Sequence, residues 1–116
     1  MQIHGPMPTE GDRLFTRLLM GLEAETQLTS LSKEGITNLF ASIDDEAVAE
    51  RFAIPSSEDE VKESLYRLES AGYISVDESN PHVQVALTGF LDCGILDIPS
   101  ELRGEVIEHM DRNHLT

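Results

Sequence analysis

Carboxylates are concentrated in one short stretch of this 116-residue chain. Between residues 44 and 63 the only bases are Arg51 and Lys62, and the local net charge is −6. The eight acids are Asp44, Asp45, Glu46, Glu50, Glu58, Asp59, Glu60 and Glu63. Such a cluster attracts basic surfaces and repels phosphates. Several of these acids also fall where helices are predicted to begin, and there a carboxylate stabilises the helix dipole by roughly 0.3–1 kcal/mol. A recognition surface and helix capping are both open interpretations.

Other reactive side chains form no catalytic pattern. Cys93 is the only cysteine and lies in an apolar stretch, which is typical of a buried structural thiol. His109, Asp111 and His114 are close in sequence, but a histidine near the end of a helix favours a dipole contact over a metal site. The sequence contains no HExxH, CxxC, GxGxxG or Walker motif. We therefore expect neither an enzyme nor a metal or cofactor site.

The chain as a whole is strongly acidic. Lys plus Arg number 8 and Asp plus Glu number 22, which gives a formal net charge of −14. This balance disfavours nucleic acid and anionic membranes as partners, unless a salty cytoplasm screens the charge. A signal peptide and an apolar run of ~18 residues are both missing from the sequence. One cysteine allows no intramolecular disulfide, so we expect a cytoplasmic protein.

Hydrophobic periodicity predicts an α+β fold rich in helices. Residues 1–11 contain two prolines and two glycines and read as a flexible arm, and residues 12–116 as a single domain. Asp12 is the expected N-cap of the first helix. Four further helices are expected to begin at Ser32, Asp44-Asp45, Ser57 and Pro99-Ser100.

The clearest helix signal follows the turn at Pro55. Ser57 with Glu60 matches a capping box. The buried stripe of this helix is predicted to be Val61, Leu65 and Leu68, and Gly72 is placed at its end.

Two strands are predicted after this helix. They cover residues 73–76 and 82–87 and flank a polar loop at 77–81. Residues 27–29 form a candidate third strand that could pair with this hairpin. Residues 90–98 read as a short helical turn and a loop. The last helix should bury Leu102, Val106, Ile107 and Met110, either in the core or in a dimer contact.

A longer pattern joins these elements over residues 46–91. It consists of Val48-Ala49-Glu50-Arg51-Phe52-Ala53-Ile54-Pro55, then Val61, Leu65, Leu68, Ala71, Gly72, Tyr73 and Ile74, then Val85-Ala86-Leu87-Thr88. This pattern resembles the winged helix-turn-helix superfamily. The resemblance implies that the helix after Ser57 is the DNA-reading helix and that the hairpin is the wing.

The chain departs from that family at the DNA-reading positions. On the helix the matching positions are Ser57, Glu58, Lys62, Glu63, Tyr66 and Arg67, and on the wing they are Asp77, Glu78, Asn80 and His82. Lys62 and Arg67 suit phosphate contacts, whereas Glu58 and Glu63 oppose them. The wing carries acids where the family often has Arg or Lys.

We therefore expect a small acidic winged-helix module that binds a basic protein surface, with a DNA-mimicking inhibitor of a nucleic-acid-binding protein as the candidate role. The predicted partner-binding residues are Glu58, Asp59, Lys62, Glu63, Tyr66, Arg67, Asp77 and Glu78. The alternative is a dimeric DNA-binding transcriptional regulator in a high-salt cytoplasm. A basic patch gathered from Arg13, Arg17, Arg51 and Arg67 would favour that alternative. A homodimer through the terminal helices is compatible with both.

Overall fold

The computed structural model describes residues 8–28, 30–43 and 46–110, and it shows helices packed around a small antiparallel sheet. The helices are α1 (Glu10–Thr26), α2 (Lys33–Ala41), α3 (Glu46–Phe52), α4 (Glu58–Ser70), α5 (Leu87–Cys93) and α6 (Ser100–Met110). The strands are β1 (Leu31–Ser32), β2 (Ile74–Val76) and β3 (His82–Val85). The α+β class is therefore confirmed.

The first helix begins earlier than predicted, because Thr9 and not Asp12 is its N-cap. The Thr9 hydroxyl accepts from the Asp12 N–H at 3.0 Å, and the Asp12 carboxylate accepts from the Thr9 N–H at 3.0 Å. Residues 10 and 11, assigned to the flexible arm, are thus helical. Gly11 is needed there, since a Cβ would lie 1.9 Å from the carbonyl oxygen of Ala53. The first seven residues of that arm lie outside the described part of the chain.

The predicted starts of α2 and α4 are confirmed. Ser32 caps α2 by accepting from the Gly35 N–H at 2.9 Å. Ser57 caps α4 by accepting from the Glu60 N–H at 3.2 Å. The proposed cap at residues 44 and 45 falls outside the described residues.

Helix α4 packs into the core through the predicted stripe. Val61, Leu65 and Leu68 are all buried. Gly72 follows the C-cap with φ +80°, a conformation that L side chains rarely adopt. Its N–H bonds the carbonyl of Glu69 at 3.0 Å, so the turn leads the chain directly into β2.

The sheet has the order β1-β3-β2, and both pairings are antiparallel. The predicted strand at 27–29 is misplaced, because Gln27 is the left-handed C-cap of α1 and the strand starts at Leu31. It does pair with the hairpin, as Leu31 lies opposite Val83. The second predicted strand is too long. The strand pairing ends where the Ala86 N–H donates to the carbonyl of Tyr73. Leu87 therefore belongs to α5, and its side chain is 72% exposed.

The core lies between α1, α2, α4 and the inner side of the sheet. Phe15 of α1 meets Phe40 of α2 edge to face, with ring centroids 4.7 Å apart. Leu102, Val106 and Met110 of α6 are buried as predicted, but Ile107 is 44% exposed. Because α6 lies at the surface, it buries fewer of its apolar side chains than the sequence pattern predicted.

Candidate functional site

Helix α4 has an inner side in the core and an outer side in solvent. The exposed charges of α4 are the acids Glu58, Asp59, Glu60, Glu63 and Glu69 and the base Lys62, a net of −4. Tyr66 lies among them and is 61% exposed. The outer side of α4 is therefore an acidic surface with one aromatic side chain.

The one lysine of this surface is already paired. Lys62 Nζ lies 2.9 Å from Glu58 Oε1, one helical turn away. The hydrogen bond from Lys62 lowers the pKa of Glu58, and the same bond raises the pKa of Lys62. Both side chains are well exposed, so solvent screens the pair and it adds little to stability.

Arg67 is turned toward α1. Its Nε lies 2.6 Å from Asp12 Oδ2 and its Nη2 lies 2.9 Å from Asp12 Oδ1, a two-pronged ion pair. Ser64 also donates to Asp12 Oδ1 at 2.7 Å. The Asp12 side chain is 2% exposed and that of Arg67 is 26% exposed. This predicted site residue therefore joins α4 to α1 in the described structure.

The pKa of Asp12 reflects two opposing effects. Burial raises it, but the hydrogen bonds from Arg67, Thr9 and Ser64 together outweigh burial and hold the pKa below its usual value. The carboxylate is thus kept ionised by partners on both helices.

Four of the predicted site residues line one shallow depression of about 410 Å³. They are Lys62, Glu63, Tyr66 and Arg67. The surface of this depression is almost entirely apolar, so the side-chain stems and the Tyr66 ring form most of it. Helix α4 therefore brings half of the predicted set into contact.

The two predicted acids of the hairpin lie on a different element. Asp77 accepts from the hydroxyl and N–H of Ser79, at 2.8 Å and 3.0 Å, and its pKa is lowered by these bonds. Asp77 therefore shapes the loop as well as carrying charge. Glu78 is exposed beside it.

A second acidic hollow was not singled out from the sequence. A cleft of about 480 Å³ separates α3 from α4, and its charged lining is Glu50, Glu60, Glu63 and Arg67. Glu50 and Glu60 were counted only as part of the acidic stretch and as a capping residue. The short turn at residues 54–56 between the two predicted helices was the signal that could have paired them, because a short turn keeps α3 and α4 close.

The arginines that could have formed a basic patch are divided among three places. Arg13 and Arg51 line one cleft together with Glu10 and Asp97, and Arg51 also forms an ion pair with Glu101. Arg17 donates to the carbonyl of Leu96 at 2.9 Å, and Arg67 is held by Asp12.

The remaining reactive groups are buried. Cys93 is fully buried, and burial raises the pKa of its thiol, which makes it a poor nucleophile. His109 is 2% exposed with its Nε2 3.6 Å from Glu105. Asp111 and His114 are not among the described residues. Within residues 8–28, 30–43 and 46–110, no cluster of His, Cys, Asp and Glu has the arrangement of a metal site.

None of the helices in the described ranges combines the length and apolar character needed to cross a bilayer. Comparison with known proteins gives no match to the chain among protein-family models, curated proteins or solved structures.

Proposed function

We propose that the chain is a winged-helix module that binds a basic protein surface through the outer side of α4 and the tip of the β2–β3 hairpin. The order α3, turn, α4, β2, β3 supports the winged-helix assignment, and so does β1 as the third strand of the sheet. In that fold these two elements are the ones that approach DNA. An acidic version of the same surface suits a protein that itself binds nucleic acid.

The observation that carries the proposal is that both basic side chains of α4 are paired with acids of the same chain. Lys62 is paired with Glu58, and Arg67 is paired with Asp12. A DNA reader needs such cations for phosphates, because phosphate contacts dominate its affinity. Here both cations already form ion pairs within the chain, and the outer side of α4 keeps its net negative charge.

Long-range attraction would guide the encounter, and a few contacts would hold the complex. Glu58, Asp59 and Glu63 supply the field on α4, and Asp77 and Glu78 supply it on the hairpin. Tyr66 is the anchor, since an aromatic side chain surrounded by polar residues is a frequent hot spot. The depression beside it can receive a lysine or arginine stem that ends near Glu63.

Charge reversal on α4 tests the proposal. Proteins retained by the immobilised chain from host extract should include nucleic-acid-binding proteins that duplex DNA displaces. For such a partner, the double variant Glu58→Lys, Glu63→Lys should slow association and weaken its salt dependence, because steering is electrostatic. The matched control reverses Glu34 and Glu108, two exposed acids on α2 and α6. Equal effects of both double variants on association would contradict the proposal.

Direct DNA binding is the outcome that would replace it. At about 0.15 M salt, where charges act over about 8 Å, we expect no measurable affinity for duplex DNA in an anisotropy titration. Sequence-specific submicromolar binding would establish the regulator alternative. Repeating the titration at molar KCl covers the case of a high-salt cytoplasm.

A further inference from the structure

Most of the exposed large hydrophobic side chains in the described part of the chain lie on elements other than α4 and the β2–β3 hairpin. Seven large hydrophobic side chains are exposed among the described residues, and five of them are on α5, on the turn after it or on α6. They are Leu87 at 72%, Phe90 at 43%, Leu91 at 68%, Ile95 at 83% and Ile107 at 44%. Scattered apolar residues need no explanation, but a contiguous patch marks an interaction site.

Three of these residues form a ridge. Leu87 and Leu91 are one turn apart on α5, and Ile95, which is 83% exposed, follows four residues later, just after the helix ends at Cys93. We call Leu87, Leu91 and Ile95 the α5 ridge.

An apolar groove lies directly beside the α5 ridge. It has a volume of about 370 Å³ and runs between α1, α5 and α6. Its lining is mostly apolar and includes Met20, Ala24, Phe90, Ile98 and Ile107. The ridge residues do not line the groove, but the exposed Phe90 does and is next to Leu91 in α5, so the exposed part of α5 borders the groove.

The lining of the groove carries no net negative charge, although the elements around it hold exposed acids such as Asp92 and Glu108. The groove is lined by Arg17, Arg103 and only one acid, Glu25, and Arg103 Nη2 lies 3.0 Å from Glu25 Oε1. Arg13 and Arg17 donate to main-chain carbonyls of the α5 segment, at Asp92 and Leu96. The charged lining of the groove therefore sums to +1, from Arg17, Arg103 and Glu25, whereas the whole chain carries −14.

We propose that a second copy of this chain covers this surface, with the α5 ridge of each copy in the α1–α5–α6 groove of the other. A two-fold pair requires a surface that complements itself, and a ridge next to a groove meets that requirement. Two chains of net charge −14 repel each other, so they can approach only where the charge is balanced. A basic partner has no such preference for this surface and belongs on α4.

Sedimentation velocity with the full chain tests the proposal. Over about two decades of concentration the mass should rise from one copy to two, and KCl should strengthen the dimer by screening the like charges. Leu91→Asp should raise the dissociation constant by at least about tenfold, as for a central interface residue. Leu28→Asp is the matched control, since Leu28 is 51% exposed, lies outside the groove lining and gains the same charge. A monomer at every concentration and salt overturns the proposal, and so does an equal effect of the two variants.

Two further variants keep the test decisive. Ile95→Asp lies beyond the end of α5, so it should weaken the dimer even if circular dichroism shows that Leu91→Asp disturbs the helix. A mixture of Leu91→Cys and Ala24→Cys chains should oxidise to the mixed disulfide, because Ala24 lines the groove. Cross-links formed only between two Leu91→Cys chains would overturn the ridge-in-groove arrangement. These measurements need no binding partner, so their failure is separate from failure of the proposed function.

Discussion

The two sides of α4 use similar residues for opposite purposes. Each side has one ion pair between a base of α4 and an acid. On the inner side Arg67 holds Asp12, whose side chain is 2% exposed. On the outer side Lys62 holds Glu58, and both side chains are more than half exposed. The inner pair joins two helices, and the outer pair joins one helix to itself.

Burial, and not charge, sets this difference. Attraction between charges grows as water is excluded, and so does the cost of leaving one of them without its partner. The inner pair is therefore part of the fold. The outer pair is screened, and its residues are free to serve a surface. We expect substitutions on the inner side to change stability and substitutions on the outer side to change binding.

The largest effect should come from the apolar part of the inner side. Leu68 is fully buried and Leu65 is 2% exposed. Leu68→Ala and Leu65→Ala should each lower the free energy of unfolding by about 2–5 kcal/mol, because each leaves a cavity as well as losing apolar burial. Urea unfolding measures this. Neutral substitutions would show that the inner side of α4 does not carry the core.

Loss of the inner ion pair should come next. Asp12→Asn leaves the Arg67 guanidinium half-buried without its counter-charge and should cost about 3 kcal/mol in urea unfolding. Glu58→Gln breaks the outer pair in the same way and should leave the unfolding curve unchanged. If the two variants behaved alike, the distinction between the two sides of α4 would be lost.

The acid dependence of the inner pair sharpens the same comparison. The pKa of Asp12 is lower in the folded chain than its usual value of 3.8, so its contribution is present above 3.8 and is lost as the pH falls through the folded pKa. The stability gap between the wild-type chain and Asp12→Asn should therefore be full at neutral pH and should close in acid. Unfolding curves at a series of pH values measure the gap. A gap that stays constant in acid would mean that Asp12 acts through packing alone.

Local signals were sufficient to predict most of this helix. The serine cap, the stripe of Val61, Leu65 and Leu68, and the glycine after the helix are all short-range features, and all three were placed correctly. The sequence could not show that Arg67 points inward. Its partner Asp12 is 55 residues away, and a cation spaced four residues from Glu63 looks like a surface residue.

Errors elsewhere have the same origin. Leu87 continues the alternation of β3, so the pattern placed it in the strand, whereas in the structure it begins α5. Asp12 is a good capping residue, but Thr9 was also in position to cap. Residues 90–98 were predicted as a short helical turn and a loop, and the pattern gave no sign that α5 exposes its apolar side chains, because hydrophobicity alone does not show which apolar residues find a partner within the chain.

The smallest change should have the most specific consequence. Lys62→Gln removes the only exposed base of α4 and should leave stability unchanged, because Lys62 bonds its neighbour Glu58 and both side chains are more than half exposed. The outer side of α4 then becomes more negative. If the partner is basic, association should become faster and more sensitive to salt, whereas Glu63→Gln should make it slower.

The two substitutions remove opposite charges from adjacent positions, so opposite effects on the association rate would separate electrostatic steering from loss of side-chain contacts. Stopped-flow association at several salt concentrations measures both. Slower association for Lys62→Gln would mean that this lysine meets an acid of the partner, and the partner surface would then not be simply basic.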